Sequence, residues 1–361
     1  MRAIGVSPSR RKVELIDHPE PARRAPDEVK LRILEVGVCG TDREICEFKF
    51  GEPPAGSEHL VLGHEALGEV VEVGSGVQGL KPGSLVVPMV RLPCSDAACA
   101  ACRSGRQDFC LTDTFPEHGI RRCHGFMAER IVERESYLVP VGADLREVAV
   151  LVEPLTIMDK ALREVEKVQR RLPWAPGMGR RALVLGAGPV GLLGAMAFIL
   201  RGCATTIVAR SPATTPNARL AQSIGARYVS SREVPVQDLA ACGGPFDVIY
   251  EAAGAPLAAF ESLVSLAPNG VCILTGVPGA GEMVGFDGGK VMRNLVLQNQ
   301  VILGTVNAGR ESFTGAIALL AEMNRRWPES LRGLITGRHP LDAYAELLLN
   351  KPQGIKSILV L

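Results

Sequence analysis

A run of nineteen uncharged residues, from Ala182 to Leu200, restricts the fold of this chain more than any other feature. Its length would suit a membrane-spanning helix, but glycines and a proline recur within it, and these residues interrupt regular structure. They stand at Gly186, Gly188, Pro189, Gly191 and Gly194. We therefore predict a buried strand over residues 182–185, a glycine turn and a buried helix, rather than a membrane span.

The turn has the spacing Gly-x-Gly-x-x-Gly, directly after the strand and at the start of the helix. In that context the first glycine allows the tight turn and the second lets a pyrophosphate approach the backbone. The third lets the helix pack on the strand, so that the helix N-terminus faces the phosphates. The sequence thus predicts a dinucleotide-binding loop with these cofactor-binding residues: Gly186, Gly188, Pro189, Val190 and Gly191.

Four further apolar segments follow the loop, at residues 205–209, 247–250, 271–275 and 301–306. They alternate with helical stretches, which indicates an α/β domain with a doubly wound parallel sheet. After the second strand, NAD-binding domains of this kind have a carboxylate that binds the ribose hydroxyls. This chain has Arg210 and Ser211 there and no carboxylate. Because a guanidinium matches a phosphate with paired donors, we predict preference for NADP, or use of both NADP and NAD.

The first 150 or so residues follow a different pattern, in which apolar and polar residues alternate over residues 12–16, 29–34 and 68–73. This alternation predicts short strands in a mostly-β domain. From Pro154 the apolar residues take helical spacing, which predicts a helix with Pro154 at its first position. That helix is expected to lead to the second domain through a loop at residues 173–177. A further helix is predicted over residues 341–349.

Four cysteines lie within seventeen residues, in a segment rich in small and polar side chains: Cys94, Cys99, Cys102 and Cys110. Four thiolates that converge from one short segment form a closed tetrahedral cage for zinc. Because all four positions around the ion would be filled by protein, this site is predicted to be structural.

Cys39 and His64 indicate a second zinc site of a different kind. Thiolate and imidazole are both zinc ligands, and the glycines beside them, Gly40 and Gly63, let the backbone turn closely around an ion. Asp42 is predicted to accept a hydrogen bond from the His64 ring and so to set its tautomer.

The carboxylate of this second site is left open by the sequence. Glu65 would either bind the ion or lie behind it, and Glu153 would reach it from the start of the helix. Thr41, two residues from Cys39, is expected to take the proton of a substrate hydroxyl and to pass it outward through His124 or cofactor hydroxyls. An open zinc site next to a dinucleotide site predicts a metal-assisted dehydrogenase.

Composition excludes several other kinds of protein. A net charge of +1 provides no basic surface for nucleic acid or anionic lipid, and aromatic residues are only 4%, too few for base stacking. The N-terminus has no apolar secretory segment, so we expect a cytoplasmic protein whose cysteines are ligands or buried thiols. No role is assigned to several of them and to three histidines: Cys46, Cys123, Cys203, Cys242, Cys272, His18, His59 and His339.

Several segments together resemble the zinc-dependent medium-chain dehydrogenases. The segment Gly63-His64-Glu65-Ala66-Leu67-Gly68, followed by Gly74 and Val77, is similar to their zinc signature. Three further segments, together with Asn307, resemble the glucose 1-dehydrogenase branch, which is known mainly from archaea. The segments are residues 105–110, 117–120 and 125–127.

The resemblance implies a GroES-like, mostly-β catalytic domain at residues 1–178 with a C-terminal return at 306–361. A Rossmann domain at 179–305 interrupts it. The family implies that Cys39, His64 and either Glu65 or Glu153 hold the catalytic zinc, and that a homotetramer or homodimer forms. Glu117, together with Thr41 and Glu153, would contact the sugar, and Asn307 would lie near both the nicotinamide and the substrate. The expected reaction is oxidation of an aldose C1 hydroxyl to the lactone.

The chain departs from the family in two respects. Four residues, where the family usually has two, separate Cys94 from Cys99, which predicts a bulge in the cysteine segment. Met89, Ile157 and Leu297 stand where polar sugar partners are expected, and each unmet buried polar group costs about 1–3 kcal/mol. A zinc-dependent alcohol or polyol dehydrogenase acting on a less polar substrate is therefore the alternative.

Two other kinds of protein share some of these features. A zinc-finger-like binding protein would explain the cysteines but not the dinucleotide loop. A sensor that binds the cofactor without catalysis would explain both, and metal content measured together with turnover would distinguish it.

Overall fold

The computed structural model of the chain describes residues 1–173, 181–279, 283–350 and 352–361. They form two compact units. Unit 1 consists of Met1–Thr156, Asn307–Asn324 and Ile335–Leu361, and unit 2 of Ile157–Val306 and Arg325–Leu334.

These bounds differ from the predicted division in two places. The predicted boundary between residues 178 and 179 and most of the predicted loop at 173–177 lie outside the described residues, and the units instead divide at Ile157, within a helix. The later part of that helix bonds within unit 2, where Gln169 Nε2 donates to Asn269 O over 3.2 Å. Arg325–Leu334, which the prediction placed in the C-terminal return, also belong to unit 2. There the hydroxyl of Ser330 lies 3.0 Å from the hydroxyl of Ser223.

The strands are numbered here in chain order. The first ten are β1 Arg2–Ser7, β2 Lys12–Asp17, β3 Glu28–Gly37, β4 Leu60–Val61, β5 Glu65–Val73, β6 Leu85–Pro88, β7 Glu117–His118, β8 Arg122–Cys123, β9 Arg130–Arg134 and β10 Leu138–Val141. The others are β11 Arg181–Leu185, β12 Ala204–Ala209, β13 Arg227–Ser230, β14 Phe246–Glu251, β15 Leu266–Leu274, β16 Val301–Gly304, β17 Ile335–Pro340 and β18 Lys356–Val360.

The α-helices are numbered in the same way. They are α1 Gly40–Cys46, α2 Ala100–Arg103, α3 Val152–Gln169, α4 Pro189–Leu200, α5 Pro216–Ser223, α6 Pro256–Ser262, α7 Gly288–Leu297, α8 Arg310–Arg326, α9 Pro328–Arg332 and α10 Tyr344–Leu349. Among the described residues, no helix has both the length and the apolar character that a bilayer span requires.

Unit 1 is built mainly from β-strands. Its largest sheet has the order β10-β6-β5-β3-β18-β17, with β9 also paired to β3, and a smaller sheet has the order β2-β1-β4. The central strands β3 and β5 are antiparallel, and Gly37 at the end of β3 lies opposite Glu65 at the start of β5. Alternate residues of β3, such as Leu31 and Ile33, are fully buried, as the period-two pattern predicts.

Unit 2 contains a six-stranded parallel sheet in the order β13-β12-β11-β14-β15-β16. Counted from its first strand this is the order 3-2-1-4-5-6 of a doubly wound dinucleotide-binding sheet. Helix α4 is apolar on all sides and is buried along most of its length, because parallel sheets of this kind are covered on both faces. The predicted α/β class, with one mostly-β unit and one parallel-sheet unit, is confirmed.

Most of the predicted elements are confirmed, with shifts at their ends. Helix α3 begins at Val152, so Pro154 lies within its first turn and not at its first position. Proline is tolerated there because the N–H groups of the first turn have no acceptor within the helix. Strands β15 and β16 end at Leu274 and Gly304, short of the predicted 275 and 306. The predicted helix at 341–349 is a 3-10 turn followed by α10. Strand β13 was not predicted, because its four residues carry little pattern.

Candidate metal centres and dinucleotide loop

Three side chains in unit 1 form the first candidate metal centre, which we call the metal triad: Cys39, His64 and Glu65. Their ligand atoms all lie within 4.8 Å of one another. The pairing of β3 with β5 brings them together, because Cys39 lies two residues beyond Gly37, which is opposite Glu65. His64 and Glu65 are buried, and Cys39 is partly buried.

Asp42 supports two members of the triad from the first turn of α1. Its Oδ2 accepts the backbone N–H of Cys39 at 2.8 Å, and its Oδ1 lies 3.3 Å from His64 Nδ1. Although burial opposes it, the neighbouring His64 holds the pKa of Asp42 below its ordinary value. A carboxylate that faces Nδ1 keeps the proton on that nitrogen and leaves Nε2 with its lone pair for a metal. The 3.3 Å contact has the distance of an ion pair without the alignment of a hydrogen bond, so the hydrogen bond from the His64 ring to Asp42 stays a prediction.

Lys356, at the start of β18, is a residue of this centre that sequence reasoning missed. Its side chain is 3% exposed, forms a short ion pair with Glu65 Oε2 and donates to Val38 O over 3.1 Å. Burial disfavours its charge, but Glu65 and Cys39 raise the pKa of Lys356. A side chain at Gly37 would overlap both Glu65 and Lys356, so glycine is required there. No local pattern marks a lysine almost 300 residues from its partner.

Glu153, in the first turn of α3, lies outside the 4.8 Å group formed by the metal triad. Its charge nevertheless interacts with those of His64 and Glu65. Burial raises the pKa of the Glu153 carboxyl to about 7, with His64 opposing the shift and the carboxylate of Glu65 adding to it. In this geometry the carboxylate that belongs to the metal triad is therefore Glu65 and not Glu153.

The donor set of the metal triad fits zinc. One sulfur, one imidazole nitrogen and one carboxylate oxygen are the three atom types that zinc binds in proteins, and three protein ligands leave a position open for substrate. This composition distinguishes the triad from a closed structural site.

The cysteine cluster, formed by Cys94, Cys99, Cys102 and Cys110, is the second candidate metal centre. Its four sulfurs lie within 4.8 Å of one another, and no disulfide is formed among the cysteines whose side chains the structure describes. Helix α2 starts directly after Cys99 and places Cys102 one turn later. Residues 95–98 form the longer connection between the first two cysteines, where a bulge was predicted.

The electrostatics of the cysteine cluster also suit a metal. Although burial opposes it, hydrogen bonds from Thr112 and from neighbouring thiols lower the pKa of Cys110 to about 6. The backbone N–H of Cys94 donates to Cys102 Sγ over 3.4 Å, although burial and hydrogen bonds to the other three thiols raise the pKa of Cys102 to about 12. Sulfurs that receive hydrogen bonds are favoured as thiolates, the form that binds zinc. Four thiolates fit a closed zinc site.

Glu117 and Asn307, both expected to contact substrate, are in contact with each other. Asn307 Nδ2 donates to Glu117 Oε1 over 2.8 Å, and Arg91 Nε donates to the same oxygen over 2.9 Å. Arg91 is buried and its guanidinium lies 3.7 Å from the centre of the Phe115 ring. Sequence reasoning missed Arg91, because only the pairing of residue 91 with residue 117 brings it there.

The remaining predicted residues of unit 1 are placed as follows. Thr41 lies in the first turn of α1, next to Asp42. The ring of His124 contacts the backbone N–H of Val61, at 3.2 Å from Nδ1, and the ring of His18. Neither belongs to the metal triad, so among the described residues these ring contacts do not support a proton path from Thr41 to His124. Met89 is only 1% exposed and thus does not line an open pocket.

The glycine loop of unit 2 has the geometry its spacing predicts. Gly186 has φ 108°, a left-handed conformation that favours glycine. A Cβ at Gly191 would overlap Gly186 O, whereas one at Gly188 would meet nothing within 4 Å. Gly188 is the N-cap of α4 and Pro189 its first residue, followed by Val190. The open space at Gly188, at the N-terminus of a twelve-residue helix, fits a pyrophosphate.

Arg210 and Ser211 follow the second strand of this sheet, β12, and both are exposed. Ser211 O accepts a hydrogen bond from Tyr228 Oη over 2.8 Å, which ties the loop to β13. The end of β12 is where a dinucleotide-binding sheet meets the adenosine ribose. Arg210 lies directly after β12, at that position of the sheet, and its contact with a cofactor stays a prediction.

Replacing Asp42 with asparagine is expected to weaken zinc binding at the metal triad by about 10–100-fold, the usual effect of removing the partner of a metal-binding histidine. The reason is that the amide no longer holds the proton on His64 Nδ1. Competition with a chromophoric chelator measures the affinity. Asp113→Asn, which removes an exposed partner of Arg121, is the matched control. Equal zinc affinities in both variants would contradict the assignment.

The chain is similar to known proteins over nearly its whole length. The family model described as glucose dehydrogenase C-terminus matches residues 146–361, and the alcohol dehydrogenase GroES-like domain matches residues 25–143. The glucose 1-dehydrogenase of Thermoproteus tenax is 41% identical over 99% of each chain, and that of Methanocella arvoryzae is 38% identical over 99% of this chain and 98% of its own.

Solved structures give the same result. The glucose dehydrogenase of Haloferax mediterranei has a TM-score of 0.90 and 34% identity, with 100% of this chain and 99% of that chain covered. The same enzyme in complex with NADP, Zn and gluconolactone has a TM-score of 0.90 and 33% identity, at the same coverage.

Proposed function

Because the chain belongs to the glucose dehydrogenase family of zinc-dependent medium-chain dehydrogenases, we propose that it oxidises the C1 hydroxyl of an aldose to the lactone and passes the hydride to NADP or NAD. The observation that carries this proposal is the metal triad with its open position, in a chain whose relative from Haloferax mediterranei binds NADP, Zn and gluconolactone. The enzyme is an oxidoreductase with one catalytic and one structural zinc.

Cys39, His64 and Glu65 would hold the catalytic zinc, with Glu153 adjacent, and the cysteine cluster would hold the structural one. Zinc bound at the triad would polarise the substrate hydroxyl and lower its pKa. Asp42 orients His64, and Lys356 compensates the charge of Glu65, so the triad keeps its arrangement in a buried site. Thr41, beside Asp42, would take the hydroxyl proton while its own hydroxyl proton passes to a cofactor hydroxyl.

Glu117 and Asn307 would bind the sugar through its other hydroxyls. Arg91 and Asn307 both donate to Glu117 Oε1, so the second carboxylate oxygen stays available to accept from a sugar. Asn307 would also contribute to the nicotinamide site, as the family resemblance implies.

Arg210 would bind the 2′-phosphate of NADP. Replacing Arg210 with glutamine is expected to lower kcat/KM with NADP about tenfold and to leave kcat/KM with NAD nearly unchanged, because only NADP loses a charge-assisted contact. Arg201→Gln, at the opposite end of α4 from the glycine loop, is the matched control. Equal losses with the two cofactors would count against this role.

The experiment that tests the sugar assignment is a panel of D-glucose, galactose, xylose, arabinose and simple polyols and alcohols, assayed with NADP and with NAD. We expect the highest kcat/KM for an aldose. The alternative, a polyol or less polar alcohol, was suggested by Met89, Ile157 and Leu297, but Met89 is buried and Leu297 is 66% exposed. Highest turnover with a polyol and none with aldoses would favour that alternative.

We also propose that the protein is located in the cytoplasm and that it forms a homotetramer or a homodimer. Two metal centres that use thiolates are favoured in a reducing compartment. The oligomer rests on the resemblance alone, and sedimentation velocity of the purified protein tests it.

A further inference from the structure

Outside the metal centres, unit 1 holds a cluster of a nucleophile, a base and a carboxylate that the proposed reaction does not use. We call Cys123, His118 and Glu133 the thiol cluster. Cys123 Sγ lies 3.2 Å from His118 Nδ1, and His118 Nε2 lies 2.8 Å from Glu133 Oε2. A nucleophile in reach of a base, which a third group orients, is the geometry of an activated thiol.

The hydrogen bonds of His118 determine its protonation. Nδ1 lies 2.7 Å from the backbone carbonyl of His124, which can only accept, so Nδ1 carries a proton. Nε2 faces Glu133, whose other oxygen accepts the backbone N–H of Arg134 over 2.7 Å. Burial opposes charge on His118, but Cys123 and Glu133 raise its pKa well above the ordinary value. The Nδ1–H group, 3.2 Å from Cys123 Sγ, is thus held where it stabilises negative charge on an attacking sulfur.

A cavity of about 320 Å³ opens beside this sulfur, lined by Cys123, His118, His124 and His18 among others. Burial, together with the neighbouring histidines, lowers the pKa of His124 to about 4, so that ring is neutral. The two arginines at the cavity are paired, Arg122 with Glu52 and Arg130 with Glu20. The cavity thus suits a small reagent of low charge, and Cys123 is partly exposed within reach of it.

We propose that Cys123 is a reactive thiol that undergoes exchange with small disulfides, with the cavity receiving the incoming group. The Cys123 thiolate attacks one sulfur of the disulfide, a new S–S bond forms and the original S–S bond breaks. The leaving sulfur departs with the electron pair as a thiolate, so the disulfide is the oxidant and the step is balanced. His118 and Glu133 are positioning residues, which hold a charge-stabilising N–H group beside the attacking sulfur.

The exchange is expected to affect sugar binding, a consequence that rests on the proposed function. Cys123 in β8 pairs with His118 in β7, and the neighbouring pair is Arg122 with Glu117. A group attached to Cys123 would displace β7 and with it Glu117. Because displacements of about 1 Å change rates strongly, the KM for sugar is expected to rise about tenfold and to recover with dithiothreitol.

The test uses the zinc-loaded enzyme and 4,4′-dithiodipyridine, a small neutral disulfide whose released thiopyridone absorbs light. At pH 7 we expect a fast phase of one equivalent per subunit, about tenfold faster than an unfolded peptide with the same cysteine. Peptide mass mapping should place it at Cys123, and Cys123→Ser should remove it. His118→Asn and Glu133→Gln should slow it, whereas Cys46→Ser and His339→Asn should not.

Three outcomes would overturn the proposal: a fast phase that maps to another cysteine, a Cys123 rate no higher than that of the peptide, or an unchanged rate in folded His118→Asn. The exchange rate of the wild-type enzyme is compared with that of the peptide, so this part of the test does not depend on whether any variant folds. Exchange at Cys123 without any change in the sugar KM would overturn the link to Glu117. Because absorbance and mass report exchange without turnover, failure of the proposed sugar oxidation is detected separately.

Discussion

Replacement of His64 by alanine is expected to lower kcat/KM for the best aldose about a thousandfold, or about 4 kcal/mol of transition-state stabilisation. His64 supplies the only imidazole of the metal triad and is held by Asp42, so no neighbouring side chain replaces it. One of the two zinc ions per subunit should be lost at the same time. Steady-state kinetics and elemental analysis of the dialysed protein measure the two effects.

His339→Asn provides a control for loss of a histidine outside the triad, and it should keep both ions and full activity. The result that would contradict the assignment is His64→Ala with both ions retained and kcat/KM within threefold, roughly, of the starting enzyme. Loss of activity with both ions retained would instead place His64 in contact with substrate or proton transfer and not in the metal shell.

Replacement of Cys102 by serine in the cysteine cluster is expected to lower the thermal stability strongly and the activity only weakly, the reverse of the effect of His64→Ala. One zinc per subunit should again be lost, and the thermal midpoint should fall by about 10 °C, because metal binding at a structural site contributes directly to folding. Activity at 25 °C should fall less than about tenfold, since a closed site does not contact substrate. Calorimetry at one scan rate, with zinc analysis, provides the measurement.

The control for Cys102→Ser is Cys46→Ser, which changes a buried thiol outside both centres. The segment that carries the cysteine cluster is also connected to Glu117 through Arg91. Arg91 Nη1 lies 3.5 Å from Asp108 O, and Arg91 Nε donates to Glu117 Oε1. The activity that Cys102→Ser loses should therefore appear as a higher sugar KM. A fall in kcat with unchanged thermal midpoint and sugar KM would mean that the cluster is catalytic, against our assignment.

Local spacing was enough to predict the glycine loop and the cysteine cluster. In the loop, Gly186 adopts a positive φ, and a Cβ at Gly191 would overlap the Gly186 carbonyl oxygen five residues earlier. The four cysteines likewise converge from one segment of seventeen residues. Such features depend on short-range geometry, which residue types and their order determine directly.

Residue type also predicted the pair Cys39 and His64, but the ordering of the carboxylates was decided by the fold. The sequence offered Glu65 and Glu153 equally, and the antiparallel pairing of β3 with β5 places Glu65 in the triad. Glu153, on helix α3, lies outside the triad, and burial raises its pKa to about 7. A register between strands is a long-range property, and a shift of one residue would turn each side chain to the opposite face.

By itself, the sequence determined which chemical groups this protein has and which of them are neighbours along the chain. Only the tertiary structure decided that Lys356 meets Glu65, that Arg91 and Asn307 share one oxygen of Glu117, and that Cys123 lies beside His118. The physical reason is that these contacts join different strands and loops, some of them hundreds of residues apart. Burial of the cores and hydrogen bonding between strands bring such segments together, and no local pattern records the result.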